Sequence, residues 1–171
     1  MRLKKLLLQN ITTSSIRSLR DHFQLINSIN FNKGTLIFST ILTNLFTHFF
    51  EIILAIIIFL IYDISIINFY IYPLIIALFS TFIYGFSLIL AVISTYFKDL
   101  DNIWVFVSRL LWFVTPIFYS IEGQHKLYLL NQFNPAYHFI HITREIILYN
   151  NIPWNSVIIA FIFTILAIVI G

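Results

Sequence analysis

Apolar side chains run almost without interruption from Thr35 to Ile61, from Pro73 to Phe97, from Ile103 to about Ile121 and from Asn155 to Gly171. A helix crossing the hydrocarbon core of a bilayer needs about 20 mostly apolar residues. Each run therefore predicts a transmembrane helix, the last one barely long enough. Lipid offers backbone groups no hydrogen-bond partner, so a spanning chain is either a helix bundle or a closed barrel. A barrel would alternate apolar and polar positions in short segments, whereas these runs are continuous. The expected fold is all-α: one polytopic transmembrane helix bundle over residues 1–171.

The segments between the runs carry patterns of their own. Within residues 1–34, Ile16, Leu19, Phe23, Leu25, Ile26 and Ile29 make an approximate helical stripe. Arg17, Arg20, Asp21 and Gln24 lie off that stripe, and Ser14 or Ser15 can cap it. An amphipathic helix there would lie along the cytoplasmic membrane surface or dock onto a soluble partner. Residues 122–154 are too apolar for a plain turn and too short and polar to span. Tyr128, Leu129, Leu130 and Phe133 precede Asn134-Pro135, and Tyr137, Phe139, Ile140, Ile142, Ile146, Ile147 and Leu148 follow it. This pattern predicts two short interfacial or re-entrant helices hinged at Pro135.

Composition strengthens the membrane reading. The chain is 60% hydrophobic and 10% charged, against roughly 45–50% and about 25% in soluble domains. It has no cysteine, which excludes disulfides, thiolate catalysis and cysteine-based metal sites. Arg2, Lys4 and Lys5 precede an apolar stretch that stops at Gln9 and Asn10, too short for a cleaved signal. Basic residues then set the orientation. Arg2, Lys4, Lys5, Arg17, Arg20 and Lys33 precede the first run, Lys98 precedes the third, and Arg109 lies near the cytoplasmic end of the third, from which it can snorkel. Only Lys126 and Arg144 fall in the 122–154 loop. The N-terminus and residues 98–102 are expected on the cytoplasmic side of the cytoplasmic membrane, and residues 62–72 and 122–154 outside. A basic segment ahead of a span is a topology signal, so nucleic acid is not an expected partner. Phe69, Tyr70, Tyr72, Trp104, Tyr119 and Trp154 are placed for aromatic belts at the two interfaces.

Candidate chemistry is sparse. In the first run Thr40, Thr43, Asn44, Thr47, His48 and Glu51 share one helical face. Polar groups in a span face protein or water. The stripe reads either as the wall of a substrate pathway with His48 and Glu51 as its titratable members, or as a hydrogen-bonded helix–helix interface. Two ligands with no third nearby do not make a metal site. In the second run Ala77, Thr81 and Gly85 stand at steps of four, a spacing that lets helices approach closely. Asp101 or Asn102, after Lys98 and Asp99, is placed to cap the third helix, and Thr115-Pro116 is expected to kink it. Arg144 and Glu145 share a short helix with His138 and His141. There Arg144 serves either as an anion ligand or as a structural hydrogen-bond donor. The chain has no phosphate-binding glycine loop and no Ser-His-Asp or paired-carboxylate cluster, so no catalytic residue is assigned. If ATP drives the protein, a separate chain hydrolyses it, and no cofactor is expected here.

The order of these features resembles the permeases of type-2 ABC exporters, in particular the branch exporting lipid-linked polysaccharide, O-antigen and teichoic acid. The resemblance runs from about Asn10 to Gly171. It rests on the turn Phe97-Lys98-Asp99-Leu100, the element Thr115-Pro116-Ile117-Phe118-Tyr119, the pair Asn134-Pro135 with Arg144 at helical distance, and Pro153 ahead of the last run. The family resemblance implies a transport subunit working as a homodimer within membrane lipid, with ATP and magnesium held by separate ATPase subunits. It makes the 122–154 segment, with Asn134, Pro135, Tyr137 and Arg144, a gate-like loop, and lipid-linked glycan the substrate. The first two spans of the family pattern are missing, and Phe31-Asn32-Lys33 stands where the family tends to have Phe-Pro-Arg. A fragment or a short form is therefore expected. The competing readings are a drug or lipid exporter, an intramembrane glycosyl- or acyltransferase, and a membrane scaffold.

Overall fold

A computed structural model describes residues 33–62, 67–97, 99–116 and 125–171, together with Thr12. These residues form six α-helices and one 3₁₀ turn, with no strand among them. The helices are α1 (Lys33–Ile61), α2 (Tyr72–Tyr96), α3 (Leu100–Val114), α4 (His125–Gln132), α5 (Pro135–Leu148) and α6 (Trp154–Ile170), and the 3₁₀ turn is Ile67–Ile71. The amphipathic stripe Ile16–Ile29, Lys98, and Ile117, Phe118 and Tyr119 lie outside the described residues.

Proline chemistry sets most of the helix ends. Pro73 sits in the first turn of α2, where a missing N–H costs nothing and the fixed φ suits a helix. Pro135 does the same for α5, and Pro153 occupies the N-cap of α6. Thr115 is the residue before a proline, which disfavours helical φ/ψ. It is extended at φ −74°, ψ 123°, so α3 stops at Val114 where the sequence led us to expect a kinked continuation. At its other end α3 begins at Leu100, ahead of the expected caps Asp101 and Asn102. Asp99 takes the N-cap, and its carbonyl accepts the N–H groups of Asn102 and Ile103. Asn150, at φ 59°, closes α5: the Asn151 N–H turns back to the Glu145 carbonyl, and the left-handed residue between suits asparagine.

α1 and the stretch Phe69–Tyr96 are long and apolar enough to cross a membrane, while α3 and α6 are shorter, at 15 and 17 residues. α2 lies at the centre, packing against α1, α3, α5 and most extensively α6. Ile75, Phe79, Phe82 and Ile83 of α2 meet Ile37 and Ile41 of α1 and Ile142 and Ile146 of α5. Phe139 of α5, fully buried, inserts between Phe79 and Phe82 with ring centroids 4.9 and 5.5 Å away. Trp104 of α3 packs on Phe86 and Leu90 and donates its Nε1–H to Thr12 at 2.7 Å. It is a buried partner of Thr12 and not the belt residue expected. Tyr72 is buried as well, while Tyr70 and Trp154 are exposed. Most of α1 turns large side chains outward, including Phe46, Phe50 and Leu54, as a surface in contact with lipid does.

The close approach of α2 and α6 depends on small residues, but not on the row first expected. Ala77 and Thr81 are exposed; only Gly85 faces α6. The complementary face on α6 is Ser156, Ala160, Thr164 and Ala167, all buried. A Cβ placed on Gly85 would stand 2.5 Å from the Ala167 carbonyl oxygen. Backbone on both sides leaves no flexible side chain to yield. Gly85→Val is therefore expected to destabilise the bundle by about 1–3 kcal/mol or more, as overpacking does. Ala77→Val on the exposed face should stay within about 0.5 kcal/mol. Unfolding of both variants in mild detergent checks this, and equal stability would disprove the contact.

Candidate functional site

The end of α3 is buried, and its last carbonyls need partners. Thr115, 3% exposed, turns its hydroxyl back to the Leu111 carbonyl at 2.6 Å. The other donors come from residues 131–144. Asn131 Nδ2 donates to the Val114 carbonyl at 3.1 Å, and to its own-helix Leu127 carbonyl at 2.9 Å. Asn134 Nδ2 donates to Thr115 Oγ1 at 2.7 Å, while its Oδ1 accepts the Ala136 N–H and so caps α5. Arg144 Nη2 donates to the Pro116 carbonyl at 3.0 Å. One joint thus holds the broken end of α3 to both short helices. Three sequence features, Thr115-Pro116, Asn134-Pro135 and Arg144, meet in it.

The polar stripe of α1 divides into two groups. The hydroxyls of Thr40, Thr43 and Thr47 and the amide of Asn44 donate to carbonyls four residues earlier in the same helix. Their polarity is consumed within α1, and Thr43 and Thr47 are exposed. His48, by contrast, is 1% exposed and links two helices. Its Nδ1 lies 2.8 Å from Glu51 Oε2 and its Nε2 lies 2.8 Å from the Tyr72 hydroxyl. A carboxylate only accepts, so Nδ1 donates to Glu51, and Nε2 meets the Tyr72 hydroxyl on the other edge of the ring. Glu51 remains partly exposed. The structure brings His48 and Glu51 together with Tyr72, which the sequence does not single out as their partner. It leaves Thr40, Asn44 and Thr47 apart from them.

Two cavities adjoin these groups. One, of about 260 Å³, lies between α1 and α5, with His48, Tyr72, Thr143 and Arg144 among apolar walls. The other, of about 300 Å³, lies where α4, α5 and α6 meet, lined by Tyr128, Gln132, Tyr137, His141, Trp154 and Ser156. Its aromatic faces and hydrogen-bonding tips suit a polar ring with apolar C–H faces, since Tyr and Trp offer both kinds of surface. The Ser156 hydroxyl lies 3.2 Å from His141 Nδ1. Burial holds His141 below the ordinary histidine range, and Arg144 adds to this against the opposing pull of Glu145. His138 is also held low, mainly by burial. Its Nε2–H donates to the Gln132 carbonyl at 2.9 Å, leaving Nδ1 buried without a partner among the described residues. A second proton would have to sit on that nitrogen. Burial likewise pushes the Tyr137 phenol up.

Of the expected site residues, Thr115, Pro116, Asn134, Pro135 and Arg144 converge, Tyr137 lines the second cavity, and Asp99 caps α3 through its backbone alone. Lys98 and Tyr119 lie outside the described residues. Asn131 is the member of the joint the sequence did not reveal. Its signal is a second asparagine three positions ahead of Asn134.

Apolar helices whose polar side chains are used in capping and in joints between helices define an all-α helical membrane bundle. The family model of the ABC-2 type transporter matches residues 20–148, which runs from the N-terminal segment through the end of α5, and the chain belongs to that family. It is a transmembrane subunit of an ABC-2 type transporter, a family that works with an ABC ATPase subunit. No curated protein and no solved structure matches it.

Asn134→Ala removes both the α5 cap and the bond to Thr115, and should cost about 2 kcal/mol. Asn134→Asp, which keeps the cap acceptor alone, should cost less. Unfolding in mild detergent measures both, and no loss in the alanine variant would show that the joint is not holding α3. The histidines give a pH dependence. A lowered folded-state pKa means the unfolded chain takes up the proton first as pH falls below about 6.5. The stability from neutral His138 and His141 is therefore full above that pH and is lost on acidification toward the lowered folded values. Melting should drop between pH 7 and 5. His138→Gln, which keeps a donor for Gln132 and cannot charge, should flatten the drop.

Proposed function

We propose that this subunit exports a lipid-linked polysaccharide, or a similar amphipathic glycan, outward across the cytoplasmic membrane, with its N-terminus cytoplasmic. In this reading two copies form the pathway, and separate ATPase subunits supply the energy from ATP and magnesium. The stripe Thr40, Asn44, Thr47, His48 and Glu51 borders the route. The short helices around Asn134, Pro135, Tyr137 and Arg144 open and close its outer end. The observation that carries the glycan over a drug is the cavity at Tyr128, Tyr137 and Trp154. Aromatic faces with amide, imidazole and hydroxyl tips fit a sugar ring better than a purely apolar molecule. The joint at the end of α3 supports the outer helices moving as a unit with that helix.

Export of glycan to the cell surface, followed in cells carrying variants, tests the reading. Trp154 is 65% exposed, so Trp154→Ala should leave folding and membrane abundance intact while lowering surface glycan about tenfold, the effect of losing roughly 1.4 kcal/mol of stacking. Unchanged glycan with impaired efflux of an apolar drug would transfer the subunit to the drug-exporting class. Turnover of a lipid-linked substrate by purified protein without an ATPase would remove it from transport.

A further inference from the structure

The cavity where α4, α5 and α6 meet is built from matched pairs. Tyr128 and Gln132 stand four residues apart on one face of α4, and Tyr137 and His141 do the same on α5. The first turn of α6 adds Trp154, Asn155 and Ser156. Hydrogen bonds join the three helices around it: His138 donates to the Gln132 carbonyl between α5 and α4, and Ser156 meets His141 between α6 and α5. The rings of Tyr137 and His141 lie with centroids 5.4 Å apart, so this wall is set before any ligand arrives. Among the described residues that line the cavity none carries a formal charge, yet amides, phenols, an imidazole and a hydroxyl all present hydrogen-bonding groups. Burial holds His141 below the ordinary histidine range and Tyr137 above the ordinary phenol range, so both are neutral near pH 7. His125 and Lys126, in the first turn of α4, are exposed and outside the lining. Glu145 Oε1 lies 3.8 Å from His141 Nε2, also outside the lining. Glu145 and Arg144 act on His141 and on Tyr137 in opposite senses, so the two together bring no net charge that would draw an anion in.

A carboxylate or phosphate moved from water into such a place loses hydration and gains no counter-charge on the lining. That cost falls far more heavily on charged groups than on hydroxyls. Sugar hydroxyls donate and accept, and so do amide side chains, so a neutral ring keeps its hydrogen bonding on entry. Its C–H faces meet Tyr128 and Trp154, whose aromatic surfaces are exposed. At about 300 Å³ the cavity stands at the lower edge of the roughly 300–1,000 Å³ of small-ligand sites, which suits a short stretch of a chain. We propose, resting on the export reading above, that this cavity is a selectivity site for uncharged sugars. It admits neutral pyranose units of the glycan and turns away units bearing a carboxylate or phosphate.

The test uses the purified full chain in neutral detergent at neutral pH. It is titrated with neutral tetramers of glucose, galactose and mannose, each beside the tetramer of the matching uronic acid, and binding is read by saturation-transfer NMR. At least one neutral tetramer should bind about tenfold more tightly than its acidic counterpart. Gln132→Lys sets a cation on the lining and keeps the backbone carbonyl that His138 uses. It should strengthen acidic binding about tenfold and remove the preference. Asn155→Lys, at an exposed position on a different helix, should do the same, so the result does not depend on one variant folding. Lys126→Gln, outside the lining, should change neither class of sugar. Acidic tetramers bound as tightly as neutral ones by the unaltered chain would overturn the proposal. A preference untouched by both lysine variants, or no binding of any tetramer, would overturn it as well. Acidic binding together with loss of surface glycan in Trp154→Ala strikes the selectivity and leaves the export reading standing. Neutral preference with surface glycan unchanged in Trp154→Ala strikes the export reading and leaves a neutral-sugar site.

Discussion

A helix that ends inside a packed bundle leaves carbonyl oxygens that water cannot reach, and the rest of this structure is arranged around the place where α3 does so. Pro116 favours the break, since helical φ/ψ is disfavoured at the residue before a proline and Thr115 is extended. Unpaired, each buried carbonyl would cost on the order of 1–3 kcal/mol. The donors supplied by Asn131, Asn134 and Arg144 offset that cost and decide where α4 and α5 lie. Asn134 acts in both directions, donating to Thr115 while accepting from the start of α5. Asn134 and Arg144 thus tie α5 to the end of α3 at two points. A transport subunit has reason to place a break here: a helix end held by side-chain hydrogen bonds can exchange partners, whereas a continuous helix cannot.

The second organising feature is the contrast between the two sides of α2. Toward α6, backbone meets backbone at Gly85 and Ala167, and toward α5, aromatic rings interlock around Phe139. Dispersion contacts of this density substitute for a hydrophobic drive that lipid does not provide. Toward α1 the contact is thinner than toward α6, and a buried polar link joins His48 to Tyr72. α1 is thus tied to α2 by a specific hydrogen bond as well as by packing. The cleft that separates it from α5 lies directly beside that bond.

Much of this was legible in the sequence, for identifiable reasons. The long apolar runs gave the helices because lipid leaves no other way to satisfy the backbone. Pro135, after a polar Asn and between two short amphipathic stretches, marked the hinge. The end of α3 was misread because proline inside an apolar run suggests a kink, and what distinguishes a kink from a stop is whether other residues can cap the freed carbonyls. Those residues lie in a different segment, and hydrophobic periodicity carries no information about them. The small-residue row on α2 failed for a geometric reason: steps of four advance about 400°, so Ala77, Thr81 and Gly85 drift by about 40° each time and only the last faces α6. The usable signal was Ser156, Ala160, Thr164 and Ala167, whose mixed steps of four and three hold one face.

The polar stripe of α1 shows how far such a pattern can be carried. Spacing places six polar residues on one face, and that much is true of the helix. It does not distinguish a side chain that ends its hydrogen bonding on its own backbone from one that must find a partner elsewhere. Thr and Asn have short side chains that donate to the carbonyl four residues back in the same helix. His48 and Glu51 have no such recourse: the imidazole has two polar nitrogens on opposite edges, and it can satisfy both only by bridging. One edge takes Glu51 on the same helix, which leaves the other to reach across to Tyr72. Side-chain geometry thus singles out His48 as the point where α1 is tied to the core.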